Sequence, residues 1–328
     1  MNTADPQTVR ASNGRTLQWL VRWCAWPAGL AVAATAAWLL SLDSTLAMPL
    51  QVVSMVAPVL LIAYAERVAP FRRAWRNGTT AERRIDVTSM AVLMTVADPL
   101  IKRGLLPLLA SAVWPFVGTA PGVRWFPATW PLPLQIALAA LVAEFGQYWM
   151  HRAGHTFRWM WAVHGFHHNP TRIYWLNGFR VNPLNMIWHQ LAGLGVLVVI
   201  GAPPLVVQML ILFGTVIAVF QHANADLRYG GWNRVFATAD LHRWHHATGS
   251  DSAPANFGAL LVVWDQVFGT YRRAAGSPPI VGVDAGAPHA TGYVSALTEA
   301  ARNGFGKAMA RSIAAGAPNA SSGPGRTR

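Results

Sequence analysis

Cysteine is nearly missing from this chain: Cys24 is the only one in 328 residues. A single thiol builds no disulfide framework, no cysteine-based zinc module and no iron–sulfur cluster. Charge is scarce as well, at 12% of residues where a soluble domain carries about 25%. Acids are the scarcer sign, 13 against 26 bases. With 53% hydrophobic residues, 16 tryptophans and a mean hydropathy of +0.29, a soluble surface would be poorly solvated. Composition therefore predicts an integral membrane protein. Three familiar motifs are also missing. There is no HExxH of the zinc hydrolases, no Glu-x-x-His pair of the soluble di-iron bundles, and no GxGxxG for a nicotinamide or flavin. No repeat of 20–50 residues interrupts the chain.

The net charge of +13 does not point to nucleic acid, because 24 of the 26 bases are arginine and no long basic run occurs. In a membrane protein the same excess marks cytoplasmic loops. Trp23–Leu42 and Ser44–Ala65 carry no charge and read as a hairpin of spanning helices broken at Asp43. Arg67, Arg72, Arg73, Arg76, Arg83 and Arg84 follow between Glu66 and Asp86. With Arg10, Arg15 and Arg22 they place that loop and the N-terminus in the cytoplasm. Residues 87–118 are apolar but broken by Asp98-Pro99 and Lys102-Arg103, which leaves two readings: one kinked crossing, or a short crossing with a re-entrant piece. Trp130–Met150 is the next span, with one acid, Glu144. Val181–Ala225 is free of charge and divides at Gly201-Ala-Pro-Pro204 into two arms of roughly 17 residues. A hairpin returns the chain to the side it left, so segments before 184 and after 221 share a face. The outer loops, 43–45, 119–130 and 201–204, hold one base, Arg124.

Histidine is what the chain has in pattern. His151 and His155 form an HxxxH; His164, His167 and His168 form an HxxHH; His242, His245 and His246 form a second HxxHH. Random placement of 11 histidines expects roughly 0.01 HxxHH matches, so two carry information. On a helix, positions i, i+3 and i+4 share a face, and each HxxHH is expected to aim three imidazoles the same way. His222 ends the 205–221 arm and joins them by topology at the membrane boundary. Nine imidazoles are too many for one ion and suit two ions with four or five ligands each. His189 and His289 read instead as satisfied core or interfacial residues. Glu144, seven residues before His151, is expected to orient a ligand by hydrogen bonding. Trp159, Trp161, Tyr174, Trp175, Trp232 and Trp244 are interfacial aromatics, with Trp244, inside the third box, the best candidate for lining a substrate path.

In this order the boxes and the hydrophobic hairpin resemble the fatty acid hydroxylase/sterol desaturase superfamily of membrane di-iron enzymes. The supporting stretches are Tyr148–His155, Trp161–His168, Gln221–Asn224 and, most of all, Asn256–Tyr271. The likeness runs from about 136 to 273. It implies that His151, His155, His164, His167, His168, His222, His242, His245 and His246 ligate two iron ions, and that Asn224 and Asp265 support them. Where many relatives have Arg-x-His-Pro, this chain has Arg180-Val-Asn-Pro183, so Asn182 removes one imidazole and the ligand count is open by one.

The resemblance implies an O2-dependent hydroxylase acting on an unactivated C–H bond of a lipid, fatty acyl, sterol or related. The rivals are a desaturase on the same scaffold and, from another class, a histidine-rich membrane metal transporter or sensor. No donor site for electrons is encoded, so a separate ferredoxin or cytochrome with its reductase is expected, steered by the loop arginines and by Arg152, Arg158 and Arg243. The expected fold is all-α: a polytopic transmembrane bundle with a cytoplasmic histidine-rich helical cap, as in a bacterial inner membrane. Its parts are a cytoplasmic segment (1–22), an N-terminal transmembrane region (23–130), a histidine-box domain (131–273) and a polar, largely disordered tail (274–328).

Overall fold

Asp43 ends the first uncharged run because its carboxylate accepts hydrogen bonds from the Thr45 N–H (2.8 Å) and hydroxyl (2.7 Å), turning the chain through Ser44–Leu46. On either side stand α1 (Pro6–Leu42) and α2 (Ala47–Val68). The computed structural model describes residues 6–76, 78–117, 125–248, 254–274, 278, 280–282 and 292–299. Expectations for 119–124, His289 and 312–328 lie outside the described residues.

Helix α3 starts in a capping box, with Thr79 and Glu82 satisfying each other's backbone N–H groups. It then runs from 80 to 117 without a break. The stretch 87–117 is therefore one continuous helix rather than two separate pieces. Pro99 has no N–H to give, and the helix absorbs it by widening into π-helical turns at Leu93–Ala97 and Leu100–Leu105.

Four further helices complete the bundle: α4 (Leu132–Thr156), α5 (Arg158–His168), α6 (183–199) and α7 (Pro204–Gln221). Pro183 and Pro204 open α6 and α7 at the first helical position, where no N–H is needed. Asn182 caps α6 by accepting the Leu184 N–H at 2.9 Å, so the residue standing in for a histidine serves the backbone. Helices α4 and α6 cross closely at Gly146, where a Cβ would lie 1.8 Å from the Ala192 carbonyl oxygen.

The main core joins α1, α2 and α7 through Trp26, Ala33, Ile62, Val216 and Phe220. Trp26 is buried with its ring edge-on to Phe220 and Tyr229 at 5.2 and 5.3 Å. Three helices are long and apolar enough to cross a membrane, Gly14–Leu42, Ser44–Val68 and Pro204–Gln221, while Pro183–Val199 is a shorter apolar helix. This is a helical membrane protein; no β-strand occurs among the described residues.

At one end of the bundle the Phe126 N–H meets the Ile200 carbonyl and the Trp114 indole meets the Val198 carbonyl. At the other, Glu66 at the end of α2 accepts the N–H groups of Trp175 and Asn224, both at 2.8 Å. The segments before 184 and after 221 thus meet as the topology predicts. They form a cap with the short helices α8 (Ala239–His245) and α9 (Val263–Val267). Part of the expected tail is folded onto this cap. A helical turn at 293–299 packs Tyr293, Ala296 and Leu297 on Ile85 and Phe166, and the Gly282 N–H bonds the His246 carbonyl.

Candidate metal centre

Nine histidines meet in the cap. His151 and His155 come from the last turns of α4, His164, His167 and His168 from α5, His222 from the end of α7, and His242, His245 and His246 from α8 and its C-cap. They sort into two groups: His151, His155, His164, His168 and His245; and His167, His222, His242 and His246. Within each group the donor nitrogens all lie within 4.8 Å of one another.

The sorting corrects one expectation. Neither HxxHH aims three imidazoles one way. The i, i+4 pair goes to one group and the i+3 residue to the other, because on a helix i+4 sits about 40° past i and i+3 about 60° short of it. His164 and His168 join the first group while His167 crosses to the second; His242 and His246 join the second while His245 crosses to the first. The groups abut, with the His168 and His246 rings stacked at 4.2 Å.

What faces the middle of the five-histidine group is lone pair. The Nδ1–H of His151 donates to the Phe257 carbonyl (2.7 Å), that of His245 to the Ala255 carbonyl (2.8 Å), and that of His164 to Asn185 Oδ1 (3.0 Å). Asn185 Oδ1 also accepts the Trp188 indole N–H, which fixes the amide's orientation. With Nδ1 protonated, Nε2 of a neutral imidazole is bare. Burial keeps the rings neutral: desolvation pushes His167 down to about 4, and His168, His222, His242, His245 and His246 well below the usual value. Yet the Nε2 of His164 lies 3.1 Å from the Nε2 atoms of His151, His155 and His168, and His168 lies 3.1 Å from His245. Bare nitrogens converging this closely in a dry site repel unless a cation lies among them. Donors 3.1 Å apart at right angles surround a centre roughly 2.2 Å away, within about 0.2 Å of a metal–imidazole bond. Five such donors exceed the four of a structural zinc. The donor set fits a metal centre built from neutral nitrogen.

The site opens into a cavity of about 500 Å³ that touches both groups, at His151 and His164 and at His167, His222 and His242. It runs between α2, α3, α4, α6 and α7 along Val56, Met55, Leu194, Leu210 and Ala218. The ligand groups sit at helix ends rather than at mid-bundle, where a transporter would place them.

Residues 136–270 match the family model described as Fatty acid hydroxylase. This match and the relatives that follow support the fatty acid hydroxylase superfamily. Among curated proteins it is 28% identical over 259 residues to the ornithine lipid hydroxylase OlsE of Rhizobium tropici, covering 76% of this chain and 74% of that one. Alkylglycerol monooxygenase of Homo sapiens is 27% identical over 151 residues, and that of Danio rerio 27% over 136, covering 45% and 41% of this chain. The chain spans about a third of the length of those two, 33% and 30%. No solved structure matches the chain.

Within this matched segment the supporting acids act one step further from the imidazoles than expected. Glu144 touches no histidine; it accepts the N–H groups of Ala259, Leu260 and Leu261 at 2.6–3.0 Å. Asp265 accepts those of Phe257 and Gly258, both at 2.8 Å. Together they hold the strap 255–261, whose carbonyls at 255 and 257 receive His245 and His151. Between those carbonyls Asn256 takes a left-handed backbone (φ +56°), which a non-glycine residue adopts under constraint. Its amide bonds the Leu241 and Arg272 carbonyls and accepts the Arg272 N–H. Asn224 binds the backbone of Arg72 through both amide atoms, tying the 66–76 loop to the cap.

Trp244 does not line the cavity. Two residues past His242, it sits on the far side of α8 and packs under the Arg272 guanidinium at 5.1 Å. Trp175 lines the cavity instead, and Trp161 covers His155 and His168 at 5.1 and 5.2 Å. Tyr174 donates to Asp86, while Trp159 and Trp232 are exposed. His189 is neither core nor interface: it lines the cavity, its ring 5.4 Å from that of His151, outside both groups. Sequence reasoning missed Asn185 and the carbonyls of 255 and 257, because nothing in a residue name marks a main-chain acceptor. Arg243 is withdrawn from partner docking. It is buried, paired with Asp240, bonded to the Ala223 carbonyl and laid over Phe71 at 3.8 Å. Arg67, Arg73, Arg76, Arg83 and Arg84 remain exposed.

Proposed function

We propose that the chain is a membrane-bound, non-haem di-iron oxygenase that inserts one oxygen atom of O2 into an unactivated C–H bond of a lipid, with its site on the cytoplasmic face. The observation that carries this reading is nine neutral imidazoles in two groups opening on one apolar cavity. Two irons bound by neutral nitrogen supply O2 activation and the two-electron redox chemistry. The first would be held by His151, His155, His164, His168 and His245, the second by His167, His222, His242 and His246.

The rest is the protein's part. Val56, Leu194 and Ala218 give an alkyl chain an apolar wall and keep water from the reacting carbon. Trp161 shields the five-histidine group from the side away from the cavity. The overall balance, R–H + O2 + 2e⁻ + 2H⁺ → R–OH + H2O, requires a separate electron donor, and the exposed arginines between 67 and 84 give an acidic one a docking face. A lipid substrate agrees with what the matched relatives are named for.

The test is purified enzyme supplied with a generic ferredoxin–reductase pair, lipid and isotopic ¹⁸O2. The expected product is a lipid carrying one ¹⁸O, with about two irons per chain by elemental analysis. A product two hydrogens lighter with no label assigns a desaturase, and iron-free protein with full activity ends the reading.

A further inference from the structure

Helix α3 carries an ion pair inside the bundle, with Arg103 next to it on the second cavity. Asp98 and Lys102 form an ion pair at 2.7 Å, one turn apart. Their side chains are about a quarter exposed, 29% and 26%. Both line the cavity that reaches the histidines, and both line a second cavity of about 750 Å³. Gln51, Met94 and Ile211 are the other residues common to the two, so the pair stands at the junction. The second cavity continues between Met48, Ala110, Trp114, Val207 and Leu212, and Met48 and Trp114 are themselves exposed on the flank of the bundle.

An ion pair here adds little to stability. Replacing a buried pair by apolar residues of similar size is typically neutral or stabilising, and an ionisable residue within a membrane bundle marks a ligand path. The helix is also distorted around it, π-helical just before Asp98 and again through Lys102, a distortion frequent at functional sites. One bond between the two leaves two ammonium hydrogens and carboxylate lone pairs free for a second molecule.

The spacing fits an amphiphile. Ile211 marks the junction on α7, and His222 stands 11 residues later, about 16 Å along the helix and half the hydrocarbon thickness of a bilayer. Between the junction and the histidines the wall is mixed, with Met55, Val56, Leu194, Leu210 and Ala218 beside Gln147 and Thr215. We propose that Asp98 and Lys102 read the headgroup of a zwitterionic lipid, the ammonium on Asp98 and the carboxylate or phosphate on Lys102, with one chain laid along the passage toward the histidines. A neutral headgroup satisfies neither charge, so it is discriminated against. This rests on the lipid oxygenase reading for the chain's direction, but not for the binding itself.

The experiment compares palmitoyl lysophosphatidylethanolamine with monopalmitoylglycerol, which differ only in the headgroup. Binding to the wild-type enzyme and to Asp98→Asn and Lys102→Met is measured by native mass spectrometry, and hydroxylated product is measured in parallel. The wild type is expected to prefer the zwitterion by about tenfold, the worth of one charge-assisted hydrogen bond, and each variant to lose that preference while binding the neutral lipid as before. A double variant, Asp98→Lys with Lys102→Asp, keeps the ion pair and separates a folding defect from a lost ligand. Equal preference in wild type and variants overturns the headgroup site even if every protein makes product. Preserved discrimination with no product from any lipid leaves the headgroup site standing and overturns the oxygenase reading instead.

Discussion

The two histidine groups hold similar donors and differ in what stands behind them. In the five-histidine group, His151, His164 and His245 are each anchored at Nδ1 by a main-chain carbonyl or by Asn185. In the four-histidine group only His167 has such a partner among the described residues, the Arg180 carbonyl at 3.2 Å, and Arg180 is in turn held by Asp86. The buried Nδ1 atoms of His222 and His242 meet no acceptor among the described residues. A ring hydrogen-bonded at its far nitrogen is a better base and is fixed in rotation, which is typically worth 10–100-fold in metal affinity. The difference teaches that two sites built from one residue type are unequal: one is set before a metal arrives, the other is ordered mainly by it.

Removing a donor from each side gives the largest expected effect. His164→Ala and His242→Ala should each lower turnover at least about 100-fold, since both groups border the reaction cavity. Their iron contents should differ. His242→Ala retains about one ion per chain on the anchored group, whereas His164→Ala, which removes the donor with three 3.1 Å neighbours, retains less. Equal stoichiometry in the two variants breaks the comparison.

A smaller effect follows from the support alone. Asn185→Ala leaves all nine imidazoles in place but strips the acceptor from His164, and should weaken the tighter ion about 10–100-fold in a chelator competition while circular dichroism is unchanged. The smallest is Glu144→Gln. The strap keeps one acceptor oxygen and loses a charged one, so the apparent Tm should fall by several degrees, with iron bound more weakly to the five-histidine group only.

These inequalities were not legible in the sequence, although the histidines were. Spacing announces that His164, His167 and His168 belong to a site, because i, i+3 and i+4 are neighbours on any helix. It does not say that His167 leaves its box, since that depends on which helix faces each side of α5. The topology was readable from charge: Arg67 to Arg84 and the uncharged run 181–225 put four segments at one end of the bundle, as found. Glu144 stands out in the sequence as an acid near the boxes, and its partners do not, because they are main-chain N–H groups more than a hundred residues away. Trp244 was misplaced for a simpler reason, that membership of a box does not mean sharing its face.

The reciprocal splitting of the two HxxHH boxes makes the cap a woven object. Helix α8 is seven residues long, too short to persist alone in water, yet its donors and the histidine that caps it reach into both groups. Any ion bound in either group therefore ties α8 to α5, acting as a cross-link between chain positions some 75 residues apart, and lowers the free energy of the folded cap by mass action. Short of that metal, the protein would keep its membrane helices while its cap loosened.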